Sequence, residues 1–205
     1  MLTQLRQANP DKRLWLCFQD EARFGLKPTY RRVWAPVGQR PIAASRARYV
    51  WSYVFASVHP ETGTTHALIL PLANTRTMQL YLDDFAASLP IDVVALLVLD
   101  GASWHRSSKL SVPDNLRLVF LPPYTPELNP AEHLWPLLRE ATANQTFASI
   151  DALETRLADR CVWLSQHPAT VSRSTSFYGY RPPAHAYTDS PNGCHSFCKA
   201  SSHQG

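Results

Sequence analysis

Three acidic residues stand where the chain changes character. Leu14–Gln19 (LWLCFQ) is a short apolar and aromatic run that ends at Asp20, and Val93–Leu99 (VVALLVL) is a continuous apolar run that ends at Asp100. Glu132 follows a stretch stiffened by Pro122, Pro123, Pro126 and Pro130. Apolar runs of this kind read as buried strands, and acids at the ends of adjacent strands converge at one edge of a sheet. Carboxylates sharing a small volume repel one another and force a proton onto at least one of them, unless divalent cations fill the gap. Mg²⁺ suits the set, since it takes a few carboxylate oxygens at ~2.0–2.1 Å and leaves positions for phosphate oxygens. Two such ions, or Mn²⁺ in their place, roughly 3.5–4 Å apart would activate a water or a 3′-hydroxyl on one side of a phosphodiester and stabilise the leaving oxygen on the other. The chemistry expected is in-line phosphoryl transfer. It rests on joint placement, because a single Asp at a strand end is ordinarily structural. Glu21 is not expected as a ligand, since neighbours on an extended chain point to opposite faces.

The elements that must position these acids follow from periodicity and turn residues. Tyr49–Val58 and Thr64–Leu70, joined by His59-Pro60-Glu61-Thr62-Gly63, read as a hairpin. Thr75–Ser88 carries Met78, Leu82, Phe85 and Ala86 at helical spacing, with Asn74 or Thr75 as N-cap and Pro90 beyond its end. Leu116–Leu121 is another short apolar strand, and a helix is expected from Ala131 with Glu132 in its first turn. Ile150–Leu164 is a last amphipathic helix. Strand, hairpin, helix, strand, strand, helix, helix fits an α/β domain of three layers whose sheet mixes antiparallel and parallel neighbours.

With 205 residues, 45% hydrophobic and 18% charged, the chain is expected to fold as one domain. No run approaches the roughly 18 apolar residues of a membrane span, and Met1–Arg13 has no apolar signal core, so a cytoplasmic protein without membrane partners is expected. Cys17, Cys161, Cys194 and Cys198 lack the spacing of a disulfide framework, which fits a reducing compartment. Residues 1–50 hold ten Lys/Arg against Asp11, Asp20 and Glu21, a balance of +7 that leaves −3 for the rest. Lys27, Arg31, Arg32, Arg40, Arg46 and Arg48 lie in a Pro-punctuated loop directly after the first acid, with at most a short strand near Arg32–Ala35. Such a loop either holds the phosphates of a polyanion or is a solvated basic surface.

Four segments match a known family: Asp20-Glu21-Ala22-Arg23-Phe24-Gly25; Arg32-Val33-Trp34-Ala35-Pro36 with Gly38; Leu99-Asp100-Gly101-Ala102-Ser103-Trp104-His105; and the run from Leu121 to Trp135, LPPYTPELNPAEHLW. Together they resemble the DDE catalytic domain of mariner-like transposases, in the branch found in bacterial insertion sequences. The resemblance covers roughly residues 14–165. It implies an RNase H-like three-layer α/β domain with a mixed five-stranded sheet flanked by helices, a divalent-metal cofactor, and cut-and-paste movement of an element between DNA sites. Asp20, Asp100 and Glu132 fall on that family's metal-binding acids. His105 matches a histidine usual after the second acid, and is expected to support the site by orienting a water, touching a phosphate, or capping and packing. Asn129 and Pro130 match the turn that positions the third acid, whose prolines push each preceding residue toward extended conformations. Trp104 and Trp135 are expected as core or site-wall residues. The partners implied are double-stranded DNA, at element ends and target, and a second copy of the chain in a homodimer; the location implied is the nucleoid.

The sequence also departs from that family. Full-length relatives carry helix-turn-helix modules ahead of the catalytic domain, whereas here about thirteen residues precede the first strand. A separately encoded recognition module, or a truncated remnant, is therefore expected. The 31 residues between Asp100 and Glu132 are a few short of the usual interval, so the connecting helix is expected to be short or lost. The domain reading is a lead-in at 1–13, a catalytic domain at 14–181 and a disordered tail at 182–205. Within the tail, Cys194, His195, Cys198 and His203 match structural zinc spacing poorly. Two alternatives stay open: another RNase H-like DNA nuclease, or a non-catalytic DNA-binding or assembly remnant.

Overall fold

The computed structural model describes residues 2–39 and 48–176. Arg40, Arg46, the segment 182–205 and the four Cys and His residues weighed for zinc lie outside the described residues.

A central strand, β1 (Arg13–Gly25), organises the sheet. Its first half pairs parallel with β4 (Val93–Leu99), from Arg13 opposite Val93 to Phe18 opposite Val98. Its second half pairs antiparallel with β2 (Trp51–His59), from Phe18 opposite Val58 to Gly25 opposite Trp51. Adding β3 (Thr64–Leu70) and β5 (Leu116–Phe120) gives a five-stranded mixed sheet in the order β3-β2-β1-β4-β5. β1 was expected to stop at Asp20. It continues to Gly25 because β2 supplies backbone partners after β4 has ended, so the polar residues Asp20, Glu21 and Arg23 are strand residues.

Side chains alternate along β1, and each face has its own core. Phe18, Ala22 and Phe24 pack with Val54, Ile69 and Val98 beneath α3 (Leu134–Glu140), α4 (Ile150–Gln166) and α5 (Pro168–Thr175). Cys17, Phe55, Leu97 and Leu99 pack on the other face against Met78, Tyr81, Leu82 and Phe85 of α2 (Thr75–Ser88). Every residue of β4 is buried, as a strand covered on both faces requires. Asn74 is the N-cap of α2: its side chain accepts from Thr77 N at 3.0 Å, and Thr77 Oγ1 accepts from Asn74 N at 2.9 Å. Among the described residues no helix is long and apolar enough to cross a membrane.

Two helices were not expected. Within the lead-in, α1 (Leu2–Ala8) packs Leu5 against Val94 and Leu96. At the other end, α5 docks on the hairpin turn, where Gly63 has φ +73° and an added Cβ would stand 1.9 Å from the Pro168 carbonyl oxygen. No helix forms between β4 and β5, matching the expectation that this connection is short or lost. No strand forms at Arg32–Ala35 either.

Two outcomes follow. Gly63→Ala should lower unfolding free energy by about 2–4 kcal/mol, read by urea denaturation, since it combines left-handed strain with overpacking. His59 is buried, stacked on Trp15 at 4.8 Å, and burial lowers its pKa from 6.5 to about 4. Its folded pKa lies below its unfolded value, so its contribution is fully present above pH 6.5 and fades as pH falls toward 4. His59→Gln should therefore flatten the acid-side loss of stability in that window by up to about 3 kcal/mol, measured as urea midpoints against pH.

Candidate functional site

The parallel register of β1 and β4 sets the first two acids level. Phe18 faces Val98, so Asp20 and Asp100 each come two residues later, where β4 has ended and β1 runs on. Alternation sends Asp20 to the same face as Phe18 and Ala22, and Glu21 to the face of Cys17.

The third acid reaches that face through the proline-rich segment. Asn129, 4% exposed, donates from Nδ2 to the Gln19 carbonyl at 3.0 Å, and its Oδ1 accepts from Ala131 N at 3.2 Å. One side chain thus pins the turn to β1 and caps the 3-10 turn Pro130–His133 that contains Glu132. A helix was expected from Ala131, but α3 begins only at Leu134. The reason is Pro136: an earlier α-helix would need its missing N–H to bond the Glu132 carbonyl, and its ring would clash there. Starting at Leu134 puts Pro136 in the first turn, where no N–H is needed. Just ahead of this turn, Tyr124 is fully exposed with φ 60°, a strained conformation for a side chain of its size.

The structure docks the turn bearing Glu132 beside Asp20, through Asn129 to the Gln19 carbonyl and Trp135 to Asp20. Burial, and then the charges of Glu132 and Glu21, push the Asp20 carboxyl up to about 7, against a hydrogen bond from Trp135 Nε1 to Asp20 Oδ2 at 2.7 Å. Asp100 has a different environment. Its Oδ1 accepts from His105 Nδ1 at 2.7 Å and from Ala102 N at 3.0 Å, and the His105 bond holds its carboxyl below the ordinary range. His105 is 2% exposed, and its Nε2 lies 2.7 Å from Glu21 Oε1. Burial opposes charge on the ring, but hydrogen bonds to Asp100 and Glu21 and their negative charge outweigh it, raising His105 to about 9.

Among the described residues no group of three His, Cys, Asp or Glu side chains is gathered to hold a metal ion. Asp20 turns one oxygen to Trp135 while Asp100 turns one to His105. The donors nonetheless fit a hard divalent cation by charge and type: carboxylate oxygens only, with the charge of Glu132 bearing on Asp20.

Three contributors went unseen in sequence. Trp135 and Trp104 were expected as wall or core residues; both are, and each also donates its indole N–H to an acid, Trp104 to Glu21 at 3.3 Å. Glu21 was set aside as a ligand, and strand parity does turn it from Asp20, yet that same parity carries it to His105. A buried Trp must find an acceptor for its single donor, and that was the available signal.

The basic loop lies beside α3 and the turn that follows it. Asn144, at φ 58°, donates from N to the Thr29 carbonyl at 2.9 Å and from Nδ2 to the Arg31 carbonyl at 3.1 Å, while its Oδ1 accepts from Arg31 N at 2.9 Å. Arg31 Nη2 donates to the carbonyl of Pro136, four residues after Glu132, at 3.4 Å. Lys27, Arg31, Arg32 and Arg48 are exposed, and Arg48 Nη1 donates to the Ala148 carbonyl at 3.3 Å.

Comparison with known proteins bears on the family and the fold. A family model described as DDE superfamily endonuclease matches residues 15–154. The uncharacterized protein y4pE/y4sA of Sinorhizobium fredii is 41% identical over 107 residues, covering 52% of this chain and 79% of the relative. Among solved structures, the mariner Mos1 paired end complex with Mg aligns with a TM-score of 0.57 at 18% identity, over 78% of this chain and 51% of that one. The Mos1 mariner paired end complex with Mn aligns at 0.53 and 15% identity, over 86% and 61%. The chain thus has the RNase H-like fold of the Mos1 transposase and spans between 51% and 61% of the length of those Mos1 chains.

The Asn129 hydrogen bonds carry a measurable consequence. Asn129→Ala should cost about 1–3 kcal/mol by leaving the Gln19 carbonyl and Ala131 N–H unpaired, a loss visible as a lower urea midpoint.

Proposed function

Because the chain belongs to the DDE superfamily endonucleases, we propose that it is the catalytic domain of a transposase, cutting DNA at the ends of an insertion sequence and joining the resulting 3′-hydroxyl to target DNA. The observation that carries the reading is the docking of the turn bearing Glu132 on β1 beside Asp20, through Asn129 to Gln19 and Trp135 to Asp20, at the sheet edge where β4 delivers Asp100. Asp20, Asp100 and Glu132 would hold Mg²⁺ or Mn²⁺, as a pair of ions. When bound, those ions activate the attacking oxygen and stabilise the leaving one.

The chain's own residues divide the remaining work. Trp135 fixes one oxygen of Asp20, and His105 fixes one oxygen of Asp100. Asn129 and Pro130 set the turn that presents Glu132, where a misplacement of about 1 Å is enough to lose on the order of a hundredfold in rate. Lys27, Arg31, Arg32 and Arg48, continued by Arg40 and Arg46, hold DNA phosphates alongside. The same reading takes a homodimer on the DNA, a helix-turn-helix module for recognition of element ends, and a nucleoid-associated place in a bacterial cytoplasm.

Incubation of the full chain with plasmid DNA and Mn²⁺ or Mg²⁺ should give metal-dependent nicking that disappears in Asp100→Asn. No cleavage by either protein, with DNA binding intact and a recognition module supplied, would favour the alternative of a non-catalytic remnant. Reversing charge at Arg31, Arg32 and Arg40 should weaken DNA binding and reduce the slope of log affinity against log salt by about 0.9 for each phosphate that is no longer neutralised. Unchanged affinity at low and high salt would refute the role of the loop.

A further inference from the structure

Asp20 and Glu21 are neighbours on an extended strand, and their side chains leave on opposite faces of the sheet. The Glu21 side chain is 7% exposed, beneath the face covered by α2. A carboxylate so enclosed needs donors, and it has two: Trp104 Nε1 at 3.3 Å and His105 Nε2 at 2.7 Å, both to Oε1. The second nitrogen of that imidazole, Nδ1, stands 2.7 Å from Asp100 Oδ1. A ring bridging two carboxylates donates from both nitrogens. It cannot swing away, because the Trp104 ring meets its edge at 5.7 Å and 77° and the side chain is 1% exposed. Ala102 N adds a second donor to the same Asp100 oxygen at 3.0 Å. Among the described residues no hydrogen bond reaches Asp100 Oδ2.

We propose that Glu21, assisted by Trp104, is a positioning residue of the site: it clamps the His105 ring, and through it the Asp100 carboxylate, so that one Asp100 oxygen is held by protein and the other is left for a cation. The proposal rests on the reading of Asp20, Asp100 and Glu132 as cation ligands. It explains why an acid beside the first ligand is buried on the wrong face to be a ligand itself. It also distinguishes Glu21 from an acid kept for packing, since its bonded partner touches Asp100 directly.

Mn²⁺ binding to the full chain, followed by the EPR signal of free Mn²⁺, separates the two readings. Asp20→Asn should abolish binding; retained binding would overturn the ligand assignment and leave Glu21 to be judged by the crystallographic readout below. Glu21→Gln should weaken Mn²⁺ binding about ten- to a hundredfold, the ordinary effect of removing a group that orients a ligand. The effect should be non-additive: in a His105→Gln background, Glu21→Gln should change affinity no further. An Asp20→Asn protein that loses Mn²⁺ beside a Glu21→Gln protein that binds it as tightly as the parent would overturn the clamp. So would an undiminished Glu21→Gln effect in the His105→Gln background. Crystal structures of the parent and of Glu21→Gln give a readout independent of metal. The Asp100 carboxylate should leave the His105 ring in the variant, and an unchanged rotamer would overturn the proposal.

Discussion

The rest of the structure depends on the double pairing of β1. Its N-terminal half is held parallel by β4 and its C-terminal half antiparallel by β2, with Phe18 belonging to both ladders. Parallel pairing fixes the level at which the two strands deliver their acids. Antiparallel pairing keeps β1 straight beyond β4, where a free strand end would otherwise fray. Because the side-chain period of a strand is two, a slip of one residue would exchange the faces of Asp20 and Glu21. The deep burial of Phe18, Ala22 and Phe24 on one side and Cys17 on the other makes that slip expensive.

Electrostatics then separates the carboxylates by environment. Asp20 is crowded by Glu132 and desolvated, and its tendency to take a proton is moderated by one indole N–H. Asp100 is the most open of them and is balanced by an imidazolium. Glu21 has a side chain only 7% exposed, and its charge is answered within the protein. The site thus carries one partly compensated chain, in which the His105 imidazolium answers two carboxylates, Glu21 and Asp100, beside one uncompensated pair, Asp20 and Glu132. It is the Asp20 and Glu132 pair that calls for positive charge from outside, and the exposed cations Lys27, Arg31 and Arg32 follow β1 in the chain, with Arg31 reaching the Pro136 carbonyl.

Much of this was legible in the residues themselves. The apolar run at 93–99, the hairpin, the Asn74 cap and the proline turn announce themselves through period, turn chemistry and missing N–H groups, all of which are local. The extension of β1 did not, because Glu21 and Arg23 look like loop residues until their partners in β2 and at position 105 are known. The late start of α3 was readable from Pro136, whose ring restricts the turn before it. The short helices α1 and α5 carry too few turns for periodicity to speak, and α5 is held by its seat on Gly63. Bonds spanning 83 and 84 residues, such as those of Trp104 and His105 to Glu21, are set by topology, and no local pattern encodes them.

The start of β1 and the end of α5 stand differently to the acidic edge. Arg13 opens β1 seven residues before Asp20, a separation of roughly 23 Å along an extended strand. By contrast, α5 lies against the turn bearing Glu132, with His133 Nδ1 bonded to the Ser174 carbonyl at 2.7 Å. A fusion partner joined directly after Ser176 would therefore begin its path beside the turn bearing Glu132 and crowd the acidic edge.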